Sequence, residues 1–539
     1  MTETQPLKVL ELTAEKRQAF LERVRPGQIV SEDDFRLIEG MINGLPDLLA
    51  LVERRGMTIA RLRKAFFGAR TEKTAAVAPD PAAPAAGSTP ANPSSPKPKR
   101  KGHGRHAAHR YSGARRVRVA HPLLHAGDLC PDCLNAKLYP LRTPALLIRL
   151  VGQAPLAASI FELEKLRCAG CGTVFSAPAP PEAGSSKYDE TVAPLGALMR
   201  YGTGVPMHRL AQVQASLGVP FPASNQWQLA TELATVAEPV WQCLIRQAAQ
   251  RSVIHNDDTP MRVASLRREP APPAGDDPVK RTRTGIFTTG ILTGGADPPV
   301  ALFFTGHQHA GENLQDLLRH RDPLLPAPIQ MCDALSRNVP TQIATLLSNC
   351  LSHARRQVVE VAPSFPIEAR HVLVSLRDVY HHDALAREQN LNPEQRLSFH
   401  QRLSGPILEN LHHWIQEQFD QKKVEPNSGL GGALQYLLNH WAPLTLFLRV
   451  PGAPLDNNVV ERGLKMAILH RKNSLSYKTQ EGARVGDLFM SLIHTCRLND
   501  ANPFEFLVAL ARHPRQVADH PEAWLPWTYR ATLAATAPS

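Results

Sequence analysis

Three acidic residues occupy positions from which their carboxylates could bind divalent metal ions. Asp257 and Asp333 each follow a short apolar run of strand-like character, and Glu461 lies in a segment of helical periodicity. Carboxylate oxygens are the ligands that Mg²⁺ prefers in proteins. Two Mg²⁺ ions roughly 3.5–4 Å apart can activate an attacking hydroxyl and stabilise the leaving oxygen of a phosphodiester. A single acid after a strand is usually a turn or cap residue, so this hypothesis requires that the three side chains meet.

The spacing of the apolar residues predicts the strands that must bring these acids together. Short apolar runs at 252–255, 285–292, 300–304 and 329–332 predict four β-strands, separated by Gly and Pro turn signals. An RNase H-like sheet carries one acid on its first strand, one after its fourth and one on a following helix. We therefore predict an RNase H-like α/β catalytic core at 252–498.

The helix that carries Glu461 is predicted to begin near Asp456. Helical spacing gives it an apolar face formed by Val460, Leu464 and Ile468, and a polar face formed by Asn457, Glu461 and Lys465. Asp456 precedes the first turn, where an aspartate is more naturally an N-cap than a metal ligand. Arg462 next to Glu461 suits binding of phosphate.

Other helical patterns surround the predicted strands. Residues 338–350 have a helical pattern, and the region at about 364–448 reads as a helical insertion in the core. Upstream, residues 188–250 are also helical. Within them, 205–230 has the pattern of two helices separated by a Gly-Val-Pro break, which is compatible with a helix-turn-helix but is not specific for one.

Four cysteines form two C-x-x-C pairs that could bind a metal. They are Cys130, Cys133, Cys168 and Cys171. Four thiolates can surround Zn²⁺ tetrahedrally, and such a closed site is structural rather than catalytic. The alternatives are two unrelated pairs of free thiols or a redox dithiol, but paired C-x-x-C is a fairly specific signal for zinc.

The composition excludes both a single small module and a wholly disordered chain. The 539 residues are 43% hydrophobic and 20% charged, enough for several cores, while 47 prolines indicate long linkers. The formal net charge of +12 favours a polyanionic partner, above all nucleic acid. No apolar stretch approaches the roughly 18 residues of a membrane-spanning helix, and the N-terminus lacks the order of a secretory signal. We therefore expect a cytoplasmic protein that does not bind membranes.

The predicted organisation is that of a multidomain α+β protein. Its parts are an N-terminal helical region (1–73), a Pro/Ala-rich disordered linker (74–101), a basic segment with the zinc-binding region (102–182), a helical DNA-binding region (183–251), the core (252–498) and a C-terminal tail (499–539). The stretch 97–118 carries nine Lys or Arg and three His without an acid. Contact with phosphate and a solvated tail are equally good interpretations of that run.

Several motifs, taken in order, resemble those of one family. They are His255-Asn-Asp257-Asp-Thr-Pro, Gln330-Met-Cys-Asp333-Ala-Leu, Cys350-Leu-Ser-His353-Ala-Arg355-Arg356, Pro454-Leu-Asp-Asn457-Asn458-Val-Val-Glu461-Arg462 and Arg471-Lys472-Asn473. These resemble the motifs of transposases of the insertion sequence 66 family, and weaker similarity extends to 62–73 and 525–527. The chain departs from the family pattern at Asp258, which replaces a glutamate, and at Leu335, which replaces an aromatic residue.

The resemblance implies a DDE-type DNA transposase that cleaves DNA at the transposon ends and transfers the strand into target DNA. Its partners would be double-stranded DNA, further copies of the chain on that DNA, and small accessory proteins of the element, in a bacterial cytoplasm at the nucleoid. Two alternatives stay open. One is a catalytically inactive regulatory protein that binds DNA, and the other is a metal-dependent nuclease without strand transfer.

The resemblance also assigns residues. Asp257, Asp333 and Glu461 would be catalytic and would bind two Mg²⁺ or Mn²⁺ ions. His353, Arg355 and Arg356 would position phosphate, since Arg pairs with phosphate through two hydrogen bonds, although His353 is equally well interpreted as a core histidine. Further DNA contacts would come from Asn457, Asn458, Arg462 and Lys472.

The zinc site can be tested by metal analysis. We expect the purified chain to contain one Zn²⁺ per protomer and the Cys130→Ser variant to lose the ion and part of its folded structure, because the ion supplies folding free energy to this small region. A substoichiometric zinc content, or unchanged folding of the variant by circular dichroism, would exclude the site.

Overall fold

The computed structural model describes residues 73–77, 122–129, 131–132, 135–139, 155–167, 174–266, 285–295 and 297–536. The predicted N-terminal helical region and the basic run at 97–118 therefore lie outside the described residues, except for residue 73. The four cysteines of the predicted zinc site also lie outside them.

The described residues contain seven strands in two sheets. The strands are β1 Lys165–Arg167, β2 Val174–Ser176, β3 Val253–Pro260, β4 Phe287–Gly294, β5 Ala301–Gly306, β6 Ile329–Cys332 and β7 Leu346–Asn349. β1 and β2 form an antiparallel pair, and the other five form one mixed sheet in the order β5-β4-β3-β6-β7. In this sheet β3, β4 and β5 are antiparallel, whereas β6 and β7 are added in parallel beside β3. The four predicted strands are confirmed as β3 to β6.

Helices make up most of the described residues. They are α1 Thr74–Val77, α2 Val192–Ala197, α3 Met207–Ser216, α4 Ala223–Ala249, α5 Ala310–Leu318, α6 Leu351–Val361, α7 Pro366–Glu388, α8 Pro393–Leu403, α9 Gly405–Asp420, α10 Gly429–Asn439, α11 Trp441–Leu444, α12 Asn458–Ser474, α13 Gln480–Leu498, α14 Pro503–Arg512, α15 Pro514–Asp519 and α16 Tyr529–Thr536. A π-helical turn, Leu198–Gly202, follows α2.

The chain is thus α+β, as predicted. In the part of the chain that the structure describes, no helix is both long and apolar enough to cross a bilayer.

Polar caps define where several helices begin. Asn392 accepts a hydrogen bond from the backbone N–H of Gln395 at the start of α8, and Ser428 and Thr479 accept equivalent bonds at the starts of α10 and α13. Asn502 does the same for α14, with proline as the next residue. These side chains satisfy N–H groups that have no partner within the helix, and proline at the first helical position loses no hydrogen bond.

The chain divides into two compact units, which we describe separately. One contains residues 1–80 and 350–455, and the other contains residues 81–349 and 456–539. The described part of the first unit is helical, comprising α1 and α6 to α11, so the helical character predicted for 364–448 is confirmed. The second unit contains both sheets and the remaining helices.

A buried aspartate joins the helices of the first unit. Asp383 on α7 accepts hydrogen bonds from Arg396 at 2.6 and 3.0 Å, and His400 lies 3.4 Å from it. Burial raises the pKa of this carboxyl, but the hydrogen bond to His400 and the charge of Arg396 outweigh burial and lower the pKa to about 2. Asp383 is therefore ionised and fixes α8 against α7.

The helical pattern predicted for 338–350 is wrong. This stretch contains the end of a 3₁₀ turn, Ser336–Asn338, and then strand β7, while the next α-helix begins at Leu351. Ile343, Leu346 and Leu347 have helical spacing, but Leu346 pairs with Ile329 of β6. Pairing with a neighbouring strand outweighs the local pattern, because spacing alone does not distinguish a short strand from a helix.

The β5 edge of the five-stranded sheet is covered by α13. The backbone N–H groups of Ala301, Phe303 and Thr305 in β5 donate to side chains of α13 at 3.0, 3.0 and 2.7 Å. Their acceptors are, in order, Thr495, Ser491 and Asp487. Two residues along a strand span about 6.8 Å, and four residues along a helix span about 6 Å. The row of donors on β5 and the row of acceptors on α13 therefore stay aligned over three hydrogen bonds. An otherwise unpaired strand edge is satisfied in this way.

This edge can be tested with Ser491→Ala. The substitution leaves the buried N–H of Phe303 without its acceptor, and we expect the free energy of unfolding to fall by about 1–3 kcal/mol. The measurement is chemical denaturation. The matched control is Ser216→Ala on an exposed face of α3, for which we expect a change below about 0.5 kcal/mol. Equal effects of the two substitutions would show that the edge bonds contribute nothing.

A candidate active site formed by β3, β6 and α12

Helix α12 packs closely on the sheet because strand β4 presents a glycine to it. A Cβ atom on Gly290 would lie only 3.0 Å from Leu464 and 3.2 Å from Val460. Gly290 is the antiparallel partner of Asp257 in β3, and directly opposed residues project from the same face of a sheet. The side chain of Asp257 therefore projects toward the face that α12 covers, and Glu461 lies in the first turn of α12.

The second acid follows from the parallel register of β3 and β6. Val253 pairs with Ile329 and His255 with Met331. β6 ends at Cys332, and the same register continued for two more residues would bring Asp333, which follows the strand, beside Asp257. Because parallel strands lie about 4.8 Å apart, we expect the two acids on neighbouring segments of the chain.

The pKa of Asp257 reflects its surroundings. Burial, the main cause, and repulsion from the carboxylates of Asp333, Asp258 and Glu461 together raise this pKa to about 7. The hydrogen bond from the backbone N–H of Asp258 at 2.8 Å opposes this increase only partly. A group of carboxylates with this excess of negative charge fits divalent cations, whose charge would relieve the repulsion.

Buried amide side chains join the three segments that carry the acids. Asn457, just before α12, donates to the backbone oxygen of Asn256 at 3.0 Å, and its Oδ1 lies 3.1 Å from Nδ1 of His255. Gln330 of β6 donates to Oδ1 of Asn256 at 2.9 Å and to the backbone oxygen of Asn338 at 2.7 Å. All five residues are buried. Polar groups at this depth require partners, so the network has a defined geometry.

The same network holds Asp333 directly. Asn338 donates to Oδ1 of Asp333 at 2.5 Å, and the backbone N–H of Leu335 donates to the same oxygen at 3.1 Å. Asn256 in turn donates to the backbone oxygen of Asn338 at 2.7 Å. The network-forming residues Asn256, Gln330 and Asn338 had no predicted role in the site. Asn338 has no recognisable spacing relative to the acids, because its position depends on the turn after β6.

Asp258 projects toward the opposite face of the sheet from Asp257. Its carboxylate lies 2.9 Å from Nδ1 of His309 and accepts a hydrogen bond from Arg337 at 3.3 Å. Successive residues of a strand alternate between faces, which separates this acid from its neighbour. Asp258 is therefore paired with Arg337, whereas no ion pair to Asp257 is found among the described residues.

The other predicted site residues of α12 differ in exposure. Arg462 and Lys472 are exposed, as is Lys465, whereas Asn457 is fully buried and Asn458 is half-buried. The N-cap predicted at Asp456 is wrong by one residue, because Asn457 occupies that position; Oδ1 of Asp456 still accepts from the backbone N–H of Asn458 at 3.1 Å. The structure thus assigns Asn457 to the network under α12, and its predicted contact with DNA stays a prediction.

The remaining predicted phosphate ligands lie on α6 in the first unit. His353, Arg355 and Arg356 are each half-buried there. Arg355 donates to Oγ1 of Thr74 at 3.3 Å and lines a cavity of about 300 Å³ together with Lys73 and other residues of α6 and α7. This concentration of cationic groups suits an anion, but the role of the three residues stays a prediction.

Comparison with known proteins gives the class to which the chain is similar. Residues 188–485 match the family model described as Transposase IS66 family. The match covers more than half of the chain, which therefore belongs to the IS66 transposase family. The resemblance inferred from the sequence motifs is confirmed, and family membership indicates a transposase, an enzyme of nucleotidyl transfer whose partner is DNA.

Individual relatives come from Sinorhizobium fredii (strain NBRC 101917 / NGR234). The chain is 26% identical over 408 residues to the uncharacterized protein y4hP, covering 69% of this chain and 68% of that protein. It is 24% identical over 377 residues to the uncharacterized protein y4jD, covering 68% of this chain and 71% of that protein. The names of these relatives assign no activity.

The raised pKa of Asp257 predicts how the stability of the metal-free protein depends on pH. Between about pH 4 and pH 7 the folded state retains a proton that the unfolded state releases, so the free energy of unfolding falls as the pH rises. Asp257→Asn removes this ionisation. In EDTA, we expect the variant to gain stability over the wild type by about 2 kcal/mol or more between pH 5 and pH 8.

Urea denaturation at the two pH values measures this difference. The matched control is Asp316→Asn on α5, whose half-exposed carboxylate is paired with Arg319. We expect that variant to differ from the wild type by a constant amount at both pH values. A constant difference for Asp257→Asn as well would contradict the proposed coupling among the carboxylates.

Proposed function

We propose that this chain is a DDE-type DNA transposase, which cleaves DNA at the ends of its element and joins the freed strand to target DNA. The observation that carries the proposal is the placement of Asp257 on β3 opposite Gly290, against which α12 packs with Glu461 in its first turn. Repulsion of the Asp257 carboxyl by Asp333 and Glu461 agrees with that placement. These acids come from three segments that are far apart in the sequence. Coupled carboxylates of this kind are rare in a purely structural role, because their repulsion opposes folding.

The strand order supports an RNase H-like assignment for the core. Three antiparallel strands followed by two parallel strands, in the order β5-β4-β3-β6-β7, put the first acid on the central strand. The second acid follows the next strand along the sheet, and the third lies on a helix that packs on the same face. These positions support the catalytic roles proposed for Asp257, Asp333 and Glu461.

In this proposal, the three carboxylates hold two Mg²⁺ or Mn²⁺ ions, which when bound supply Lewis-acid activation of the attacking and leaving oxygens. The residues of the chain orient the ligands. Asn338 fixes one oxygen of Asp333, and the bond from the Asp258 N–H fixes one oxygen of Asp257. The buried amide network keeps the third acid at the start of α12 next to them.

A basic stripe on α12 supports binding of the DNA backbone beside the acids. Arg462, Lys465 and Lys472 lie within one quadrant of the helix surface, and all three are exposed. They extend over about 15 Å of the helix, the length of roughly four base pairs. Cations at these positions would bind successive phosphates and align the strand with the carboxylates.

We assign recognition of the ends of the mobile DNA element to the part of the chain that precedes the five-stranded sheet. Helix α3 exposes His208, Arg209 and Gln212, side chains that can contact phosphates and base edges, and α4 follows after a short turn. The zinc-binding region and the basic run would add contacts. Because two ends must meet before strand transfer, we expect more than one copy of the chain on the DNA.

The proposal is tested with purified full-length chain, Mg²⁺ and a DNA fragment that contains one end of the element. We expect nicking at the end and joined products for the wild type. Each of Asp257→Asn, Asp333→Asn and Glu461→Gln should lower the rate by about a thousandfold or more, since residues that act as one unit have effects of this order. Asp316→Asn is the control and should leave the rate unchanged.

The same assay separates the alternatives. Cleavage without joined products would indicate a nuclease that lacks strand transfer. Binding of the DNA end without cleavage, unchanged in the three variants, would indicate a regulatory DNA-binding protein and would overturn the enzymatic proposal. Folding of each variant is checked by circular dichroism, so that loss of activity is not confused with unfolding.

A further inference from the structure

A second cavity lies in the unit that contains the sheet. It has a volume of about 600 Å³ and is enclosed by the π-helical turn after α2, by α3 and α4, and by the segment that links α12 to α13. None of the carboxylates of the candidate active site lines it. Its volume falls within the range of sites that bind small organic groups of the size of a nucleotide.

The walls of this cavity combine aromatic rings with cations. The rings belong to Tyr201, Trp227 and Tyr477, and the basic side chains are Arg200, His208 and Lys478. Tyr201 stacks on Phe489 with ring centroids 5.3 Å apart, and Tyr477 stacks on His470 at 4.1 Å. One face of each of these two tyrosine rings is therefore packed against another ring of the protein.

Several buried polar atoms next to the cavity have no hydrogen-bond partner among the described residues. They are Nε of Arg200, the hydroxyl of Tyr477 and both ring nitrogens of His470. Arg200 also donates through Nη1 to Ser474, which lines the same cavity. Polar groups at this depth usually have a partner, which a ligand or an ordered water would supply here.

We propose that this cavity binds one unpaired nucleotide of a DNA strand, with the base against the aromatic walls and the adjoining phosphates at Arg200, His208 and Lys478. The inference rests on the proposed function, in that DNA is the ligand. An unstacked base loses contacts with its neighbours in the duplex, and aromatic side chains replace them. The cations match the charge of the backbone on either side of that base.

The position of the cavity relative to the acids agrees with this ligand. Helix α12 carries Glu461 in its first turn and Ser474 as its last residue, and the distance between them along the helix is about 20 Å. The exposed basic stripe of α12 lies between these two points. A strand that follows this stripe would reach the cavity about six nucleotides from the acids.

The binding experiment uses the full-length chain in buffer without chelator and without added Mg²⁺ or Mn²⁺, so that the predicted zinc is retained and no Mg²⁺-dependent cleavage takes place. Three labelled duplexes of the same sequence are compared by fluorescence anisotropy: a fully paired duplex, one with a single bulged adenine, and one with an abasic bulge at the same place. We expect the bulged adenine to bind about tenfold more tightly than both others, since one stacked base contributes a factor of this order or more. The abasic bulge controls for flexibility of the DNA.

Two substitutions of Trp227 test whether the preference for the bulged adenine arises in the cavity. Trp227→Ala should abolish the tenfold preference, whereas Trp227→Phe, which keeps an aromatic face and the packing of α4, should retain most of it. The matched control is Trp414→Ala on α9 in the other unit, a half-buried tryptophan whose ring is tilted against that of His371 with centroids 4.3 Å apart. This control should keep the full preference.

The outcomes separate this inference from the proposed function. Equal affinity of the wild type for all three duplexes, or an unchanged preference in Trp227→Ala, would overturn the nucleotide site and leave the transposase proposal intact. No binding to any of the duplexes would overturn both. A lack of Mg²⁺-dependent cleavage together with a preference for the bulged adenine would overturn only the catalytic proposal.

Discussion

The buried amide network beneath the candidate active site is the constraint on which the rest of the second unit depends. Three carboxylates repel one another, and nothing in their own chemistry would bring them together. The side chains of Asn256, Gln330 and Asn457 connect the strand, the turn and the helix that carry these acids through hydrogen bonds of 2.7–3.1 Å. Because these bonds are shielded from water, breaking any of them leaves an unsatisfied buried group. The network thereby opposes the separation of the acids.

The electrostatic cost of placing these acids together is reflected in the pKa of Asp257. Its pKa of about 7 means that the folded protein holds this carboxyl in an environment that disfavours its charge. Divalent cations would reverse the sign of the local potential, and the exposed basic stripe of α12 begins immediately beside Glu461. Negative charge is thus concentrated under the helix and positive charge on its outer surface, which suits a polyanion that must approach the acids.

Two close contacts give the sheet the rigidity that such a site requires. Gly290 lets α12 approach the face of the sheet, where any side chain would meet Leu464 at 3.0 Å. On the edge, the row of acceptors on α13 satisfies β5. Sites built on packed helices and strands hold their geometry better than sites on loops. The cavity lined by Tyr201, Trp227 and Tyr477 has similar support, since Phe489 of α13 stacks on Tyr201 and His470 of α12 stacks on Tyr477.

The sequence alone determined the candidate acids, the four strands β3 to β6, the helical insertion and the family, because each of these depends on local periodicity or on the order of short motifs. It misassigned β7, since the spacing of Leu346 and Leu347 fits a helix as well as a strand and only pairing with β6 decides between them. It could not reveal Asn338 as the partner of Asp333, or the cavity between α3, α4 and the end of α12. Those features depend on residues distant in sequence, and only the tertiary structure decides which buried polar groups meet and which lack partners.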